Sequence, residues 1–250
     1  MQLDFHGHQH MPDPVRLAKR VVELTGCSRQ EAEQYIQGGW VLVDGQVVDE
    51  PQFQVLEQTV ELDPEAKLAP TEPATILLHK PVGFDPEAGS NPAASLLTPT
   101  TRWIGDTTGI RTLRRHFVRL KPIMPLEREA SGLLVYTQDP RLVHRMREDA
   151  SRLEQEFIVE VAGEIAPYGL RRLSHGLSFN GRNLPPIKVS WQSEIRLRFA
   201  LSGVQPGQLK SMCADVGLTV VAMRRIRIGR IPLAKMPAGE WRYLPAQERF

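Results

Sequence analysis

The sequence predicts an α+β protein in two parts: a small αα-β module, then a larger domain built on a mixed, mostly antiparallel sheet. Three observations carry this. Two short amphipathic helical stretches, separated by Gly26 and a Ser28-x-x-Glu31 capping box, lead into an Asp44-Gly45 hairpin. A stretch rich in Pro, Ala and charge follows at 64–74, and its composition is that of a linker. Beyond it, strand-like and helix-like runs occur without the strict alternation of a doubly wound parallel sheet.

The predicted organisation is a flexible tail over 1–13, a module over 14–63, a linker over 64–74 and a second domain over 75–250. In the tail, His6, His8 and His10 alternate, but no cysteine or acidic partner completes a plausible metal site, so no metal is expected. Pro14 suits a first helical position, and Leu17, Val21 and Leu24 recur at helical spacing, so Arg16 to Glu23 reads as the first helix. The second helix, opened by Ser28, buries Ala32, Tyr35 and Ile36 and stops at Gly38-Gly39. Trp40–Val43 and Gln46–Val48 read as hairpin strands, and Thr59–Leu62 as a closing strand.

In the second domain, Ile76-Leu77-Leu78, Gly132–Thr137, Phe157–Val161, Ile195–Leu201 and Val220–Ile228 read as strands, Pro140–Glu148 and Gln208–Val216 as helices, and 85–110 as loop.

Bulk composition excludes several classes. The chain has 250 residues, 41% hydrophobic and 24% charged, the make-up of an ordinary globular protein. No apolar run approaches the roughly 18 residues of a membrane span. Cys27 and Cys213 stand far apart, outside any CxxC pair, so a reduced cytoplasmic setting is expected. A monomer is the expected state. No phosphate-cradling, dinucleotide-binding or zinc-protease motif is present.

The net charge of +2 is less informative than its distribution. Residues 44–66 carry acids and no base, whereas 111–121 carry Arg111, Arg114, Arg115, Arg119 and Lys121 and no acid. Segregated charge of this kind suits a surface dedicated to a polyanion. Arg16, Lys19 and Arg20 fall at i, i+3 and i+4, and Arg29 opens the neighbouring helix, which makes these four the candidate phosphate contacts. The stretches 111–121 and 224–230 are further candidates to line a cleft.

Residues Val15 to Leu62 resemble the small RNA-binding module named after the fourth protein of the small ribosomal subunit. The match rests on Arg16-Leu17, Lys19, Gly26-Cys27-Ser28-Arg29, Glu31-Ala32, Ile36, Gly39, Val41, Val43-Asp44-Gly45 and Val47-Val48. Modules of this kind hold folded RNA by shape and backbone. Structured RNA, ribosomal by the resemblance, is thus the implied partner.

Three stretches of the second domain resemble the pseudouridine synthases of ribosomal RNA that carry this module: Leu77–Gly83, Ser131–Thr137, and Val221–Leu233 with Gly239-Glu240-Trp241. The resemblance implies isomerisation of uridine in a flipped-out nucleotide, with a carboxylate as covalent nucleophile and no cofactor. It places Glu127 where the family has its catalytic aspartate, Pro125 at the arginine of that loop, and Phe157 at a stacking tyrosine. Lys210-Ser211 stand where the family has two active-site cations.

Two readings follow: an RNA-isomerising enzyme using Glu127, or a non-catalytic RNA-binding protein on the same fold. A deep cleft in which Glu127 faces Phe157 and a compensating cation would favour the first; a closed or cation-free pocket would favour the second. Arg128, one residue along, is the nearest candidate for that cation.

Overall fold

The computed structural model describes residues 13–69 and 72–250. The His6/His8/His10 tract lies outside them. The chain divides into two compact units, one comprising residues up to Glu72 together with Arg111–Arg115, the other Pro73–Ile110 with His116–Phe250.

The first unit runs β1 (Val15–Arg16), α1 (Leu17–Thr25), α2 (Arg29–Gln37), β2 (Val41–Val43), β3 (Gln46–Val47), β4 (Gln54–Val55) and β5 (Val60–Leu62). Local chemistry sets most of its boundaries. Gly26, at φ 71°, ends α1 in the left-handed conformation. The Ser28 side chain accepts from the Glu31 N–H while the Glu31 carboxylate accepts from the Ser28 N–H, so the expected capping box is formed. Asp44 and Gly45 both take positive φ, as a type I′ turn requires.

Pro14 does not open the helix. Val15 and Arg16 instead pair antiparallel with Val55 and Gln54, which holds Arg16 extended as the N-cap and delays α1 to Leu17. Leu17, Val21, Ala32, Ile36, Val41 and Val55 form the core of the unit.

Residues 111–115 complete this unit. The Arg111 guanidinium lies 4.0 Å over the Trp40 ring, donates to the Gly39 carbonyl at 3.0 Å and pairs with Asp63 at 2.7 Å. Arg115 donates to the Gln37 carbonyl at 2.8 Å, and its N–H binds the Asp49 carboxylate. The reading of 111–121 as a cleft-lining stretch is therefore corrected for these two arginines, whose charges are spent on acceptors of the small module.

The second unit contains β6 (Thr75–Lys80), β7 (Lys121–Ile123), β8 (Ser131–Thr137), α3 (Pro140–Glu148), β9 (Glu154–Ala162), α4 (Gly169–Ser174), β10 (Ser178–Phe179), β11 (Arg182–Asn183), β12 (Lys188–Ser193), β13 (Arg196–Ser202), α5 (Gln208–Ala214), β14 (Thr219–Ile228), β15 (Ile231–Pro232) and β16 (Trp241–Tyr243). One sheet runs in the order β12-β13-β9-β14-β8-β6-β16, with β15 on β14 and β7 on β8. Its pairings are antiparallel except β14 against β8. The segment predicted as loop, 85–110, includes two short 3-10 helices at Ala93–Leu96 and Pro99–Thr101.

Strand periodicity sorts β9 into two faces. Gln155, Phe157, Val159 and Val161 are buried, the last three in the largest apolar cluster. Glu154, Glu156 and Glu160 point the other way and pair with Arg227, Arg198 and Arg196.

A bulge in β14 then separates two nearby arginines. Arg225 pairs in register with Phe157 and Arg227 with Glu156, so Arg225 goes to the buried face while Arg227 joins the ion pairs on the other.

Candidate active site

A cavity of about 620 Å³ opens on the Phe157 face of the second unit, within the size range of small-molecule sites, roughly 300–1,000 Å³. Its walls come from the 124–128 loop, the Ala150-Ser151 turn, β9, the 203–206 turn, Leu209 of α5, and β14.

The 124–128 loop is fixed from several sides. Leu126 and Ala130 are buried in the apolar cluster beneath it; burying a leucine side chain contributes about 1.5–3 kcal/mol. Met124, just before Glu127, has φ 52°, a conformation non-glycine residues rarely adopt. Its carbonyl accepts a 2.8 Å hydrogen bond from Arg225, which holds that turn in place. On the other side the Arg128 carbonyl accepts from the Gly83 N–H at 2.8 Å and from the Lys80 ammonium at 3.3 Å.

Glu127 projects into the cavity, one-fifth exposed. One carboxylate oxygen accepts from the Gly207 N–H at 2.7 Å; the other lies 3.2 Å from the Lys210 ammonium. Partial burial opposes the charge on Lys210, yet hydrogen bonding and attraction from Glu127 and Glu129 raise its pKa overall. Lys210 is thus the cation beside Glu127. Arg128 is not: it turns to the Asp85 carboxylate at 3.2 Å and the Ser90 hydroxyl at 2.9 Å.

Phe157 lines the cavity and is almost fully buried, offering a ring without a hydroxyl. Arg225 also lines it. That guanidinium donates to the Leu133 carbonyl (2.8 Å), the Gln155 side-chain oxygen (3.0 Å) and the Met124 carbonyl, all neutral acceptors. Burial pulls its pKa down to about 9. It remains a cation at neutral pH, and no carboxylate is among those three acceptors. A site built in this way favours negative charge inside the cavity.

Lys80 is wholly buried and donates to the carbonyls of Pro81 (3.0 Å), Phe84 (2.9 Å) and Arg128. Burial lowers its pKa to about 8, against the attraction of Glu129 and Asp85. For a base with a depressed folded pKa, the unfolded chain binds more protons between the two values, so stability rises there with pH. The urea midpoint of the parent, measured relative to Lys80→Met, should be flat below pH 8 and rise between about pH 8 and 10.5, the ordinary lysine value. A flat difference across that window would contradict the assignment.

In the first unit the four candidate phosphate contacts are exposed or half-buried. Lys19 and Arg20 approach Glu23 at 4.0 and 3.5 Å, and Arg29 approaches Glu33 at 3.0 Å. Exposed pairs of this kind are worth about 0–1 kcal/mol, too little to withhold these cations from a phosphate. Arg16 is exposed at the N-cap, outside the helical face that its spacing predicts.

Sequence reasoning singled out Glu127 and Phe157 but not Arg225 by itself, Lys80, or the Gly207 N–H. Lys80 carried a signal, since a lysine following the apolar Ile76-Leu77-Leu78 run of a buried strand must find buried acceptors.

A largely antiparallel sheet domain preceded by a small αα-β unit matches the architecture of the module-bearing pseudouridine synthases. Comparison with known proteins gives the same answer. Residues 15–60 match the S4 domain family. Across 95% of its length the chain is 29% identical to the dual-specificity RNA pseudouridine synthase RluF of Escherichia coli K12, covering 78% of that protein. It is 28% identical to the ribosomal small subunit pseudouridine synthase A of Vibrio cholerae, covering 94% of this chain and 97% of that one. An uncharacterized RNA pseudouridine synthase of Aquifex aeolicus matches at 27% identity over 94% of both chains. The crystal structure of a pseudouridylate synthase superposes with a TM-score of 0.58 at 21% identity, covering 92% of this chain and 96% of that one, which shows the shared fold. Over nearly its whole length the chain is thus similar to pseudouridine synthases of the RsuA/RluF type, and its residues 15–60 match the S4 domain. Among the described residues, no helix is long and apolar enough to cross a membrane.

Proposed function

We propose that this protein isomerises uridine to pseudouridine in structured RNA, ribosomal RNA in particular, and works in the cytoplasm where that RNA is found. The S4 module grips the folded RNA, and the cavity of the second unit receives one flipped nucleotide. The observation that carries this reading is the position of Glu127: in an open cavity, with Phe157 and Arg225 on its walls and Lys210 as the compensating cation. A non-catalytic protein on this fold would be expected to leave that carboxylate in a closed or cation-free pocket.

The chemistry follows from the groups present. Glu127 is the nucleophile, adding covalently to the target nucleotide, so that one hard step becomes two easier ones. The bond between the ribose and the base nitrogen breaks and the detached base carries the electron pair. Arg225 supplies the positive field for that anion in a site of low polarity. Phe157 holds the ring by stacking while it turns. A carbon–carbon bond to the ribose then forms, the proton released from that carbon is balanced by one gained at nitrogen, and the Glu127 carboxylate is regenerated. Nothing is oxidised or reduced, so the isomerisation balances without a cofactor. One copy of the chain carries both the module and the cavity, so the reading needs no second copy.

The direct test maps pseudouridine in RNA from cells with the protein, without it, and with Glu127→Ala in its place. A site absent in both altered strains supports the proposal; survival of every site after deletion sinks it. For the module, Arg20→Glu with Arg29→Glu should weaken RNA binding and flatten its salt dependence, by about one unit of log–log slope for each phosphate no longer neutralised. Unchanged affinity and slope would remove these residues from the interface.

A further inference from the structure

Helix α3 and the turn after it carry four arginines that the proposed chemistry leaves unused. Arg141 and Arg145 lie one turn apart, opposite the buried Leu142, Val143 and Met146, and Arg147 and Arg152 are exposed as well. Of the neighbouring acids, two are engaged elsewhere, and Asp149 is exposed and makes no ion pair with these arginines among the described residues. Asp139 caps the helix by accepting from the Arg141 backbone N–H at 2.8 Å, and Glu148 pairs with His144 at 3.2 Å. Among the described residues, no carboxylate stands within ion-pair distance of any of the four guanidinium groups. On the sheet face of the same unit, by contrast, Lys188, Arg196, Arg198 and Arg227 are all paired with glutamates.

This basic strip leads to the cavity. Ala150 and Ser151, just beyond α3, line its wall, and Arg152 is the next residue. The turn is held to the opposite side of the mouth: the Gly203 N–H donates to the Ala150 carbonyl at 3.2 Å, and the Ser202 hydroxyl donates to the Arg152 carbonyl at 3.1 Å. Unpaired guanidinium groups spread over about 9 Å of helix, with Arg152 in the turn beyond toward a nucleotide-sized opening, match neighbouring phosphates, each of which an arginine can contact by two parallel hydrogen bonds.

We propose that Arg141, Arg145, Arg147 and Arg152 form a phosphodiester track, distinct from the S4 module, that grips the RNA strand flanking the nucleotide in the cavity. This rests on the reading of the cavity as the site of an RNA nucleotide. The test uses the full chain and a stem-loop RNA with uridines in its loop. Affinity is measured across a salt series and uridine conversion is measured in parallel. The double variants Arg145→Ala/Arg152→Ala and Arg141→Ala/Arg147→Ala should each bind about tenfold or more weakly at low salt, with a log–log salt slope about two units shallower. Their melting temperatures should match the parent, since only exposed side chains are trimmed. If both variants bind with the parental affinity and slope while Glu127→Gln abolishes conversion, the track is wrong and the cavity reading stands. If the parent converts no uridine, the cavity reading fails and the track falls with it, while a reduced slope in the double variants would then show only that these arginines contact RNA phosphates.

Discussion

Replacing Glu127 with glutamine is expected to abolish uridine isomerisation, with a loss of at least about 10³-fold in kcat, because an amide cannot form the covalent adduct. The amide keeps the shape of the side chain and can still accept from the Gly207 N–H, so RNA affinity and melting temperature should stay near parental values. Glu127→Asp is the more informative variant. It restores the residue found at this position in the resembled family, but shortens the side chain by one methylene. In this chain both carboxylate oxygens are engaged across the loop, one on the Gly207 N–H and one on Lys210. A shorter side chain cannot hold both from the same backbone position, and misplacing a catalytic group by about 1 Å costs on the order of a hundredfold. The expected order of kcat is therefore parent, then Asp about a hundredfold lower, then Gln at background. Single-turnover conversion of a uridine-bearing stem-loop would measure it. An aspartate variant faster than the parent would mean that glutamate is a crippling substitution rather than one fitted to Lys210.

How far the sequence carried this site depends on the range of the interactions involved. The S4 module was legible because its signals are local: a capping box over four residues, a left-handed Gly26, an Asp-Gly turn. Helix α3 was readable to its ends, since Asp139-Pro140 punctuate its start. Strands β12 and β16 were not read as strands with these bounds. The first is mostly exposed, with only Val189 and Trp191 as apolar residues in its alternation; the second is three residues long and buried throughout. The cation beside Glu127 is the clearest case of long-range placement. Arg128 is adjacent in sequence but turns to Asp85, whereas Lys210 lies on a helix that only the folded sheet brings alongside. Arg111 and Arg115 mislead for the related reason that a run of like charge looks solvated until its acceptors, the carbonyls of Gly39 and Gln37, arrive from far along the chain. The assignment of Arg225 to the cavity and Arg227 to the ion pairs turns on a bulge that period-two reading passes over.

Gly132→Ala is expected to be the most damaging small change in the second unit. Gly132 sits in β8, where β14 runs parallel to it and pairs Arg225 with Gly132. Two penalties coincide there. The backbone has φ 115°, which an alanine adopts only with strain, at a cost of about 1–3 kcal/mol. An added Cβ would also run into the Arg225 backbone, overlapping its carbonyl oxygen and lying 2.6 Å from its nitrogen. Neither strand can give way cheaply. β8 is held along its opposite edge by β6, and β14 by β9 on its far side. Overpacking of this kind adds about 1–3 kcal/mol more. For a protein of this size, a total near 3 kcal/mol or above corresponds to a fall of roughly 6–12 °C in melting temperature. The damage should reach function as well. Any shift of β14 moves Arg225, and with it the hydrogen bond to the Met124 carbonyl that fixes the turn before Glu127. The folded fraction of Gly132→Ala should thus convert uridine more slowly even below its melting transition, whereas a change that loosened only the sheet would lower stability and leave that rate alone.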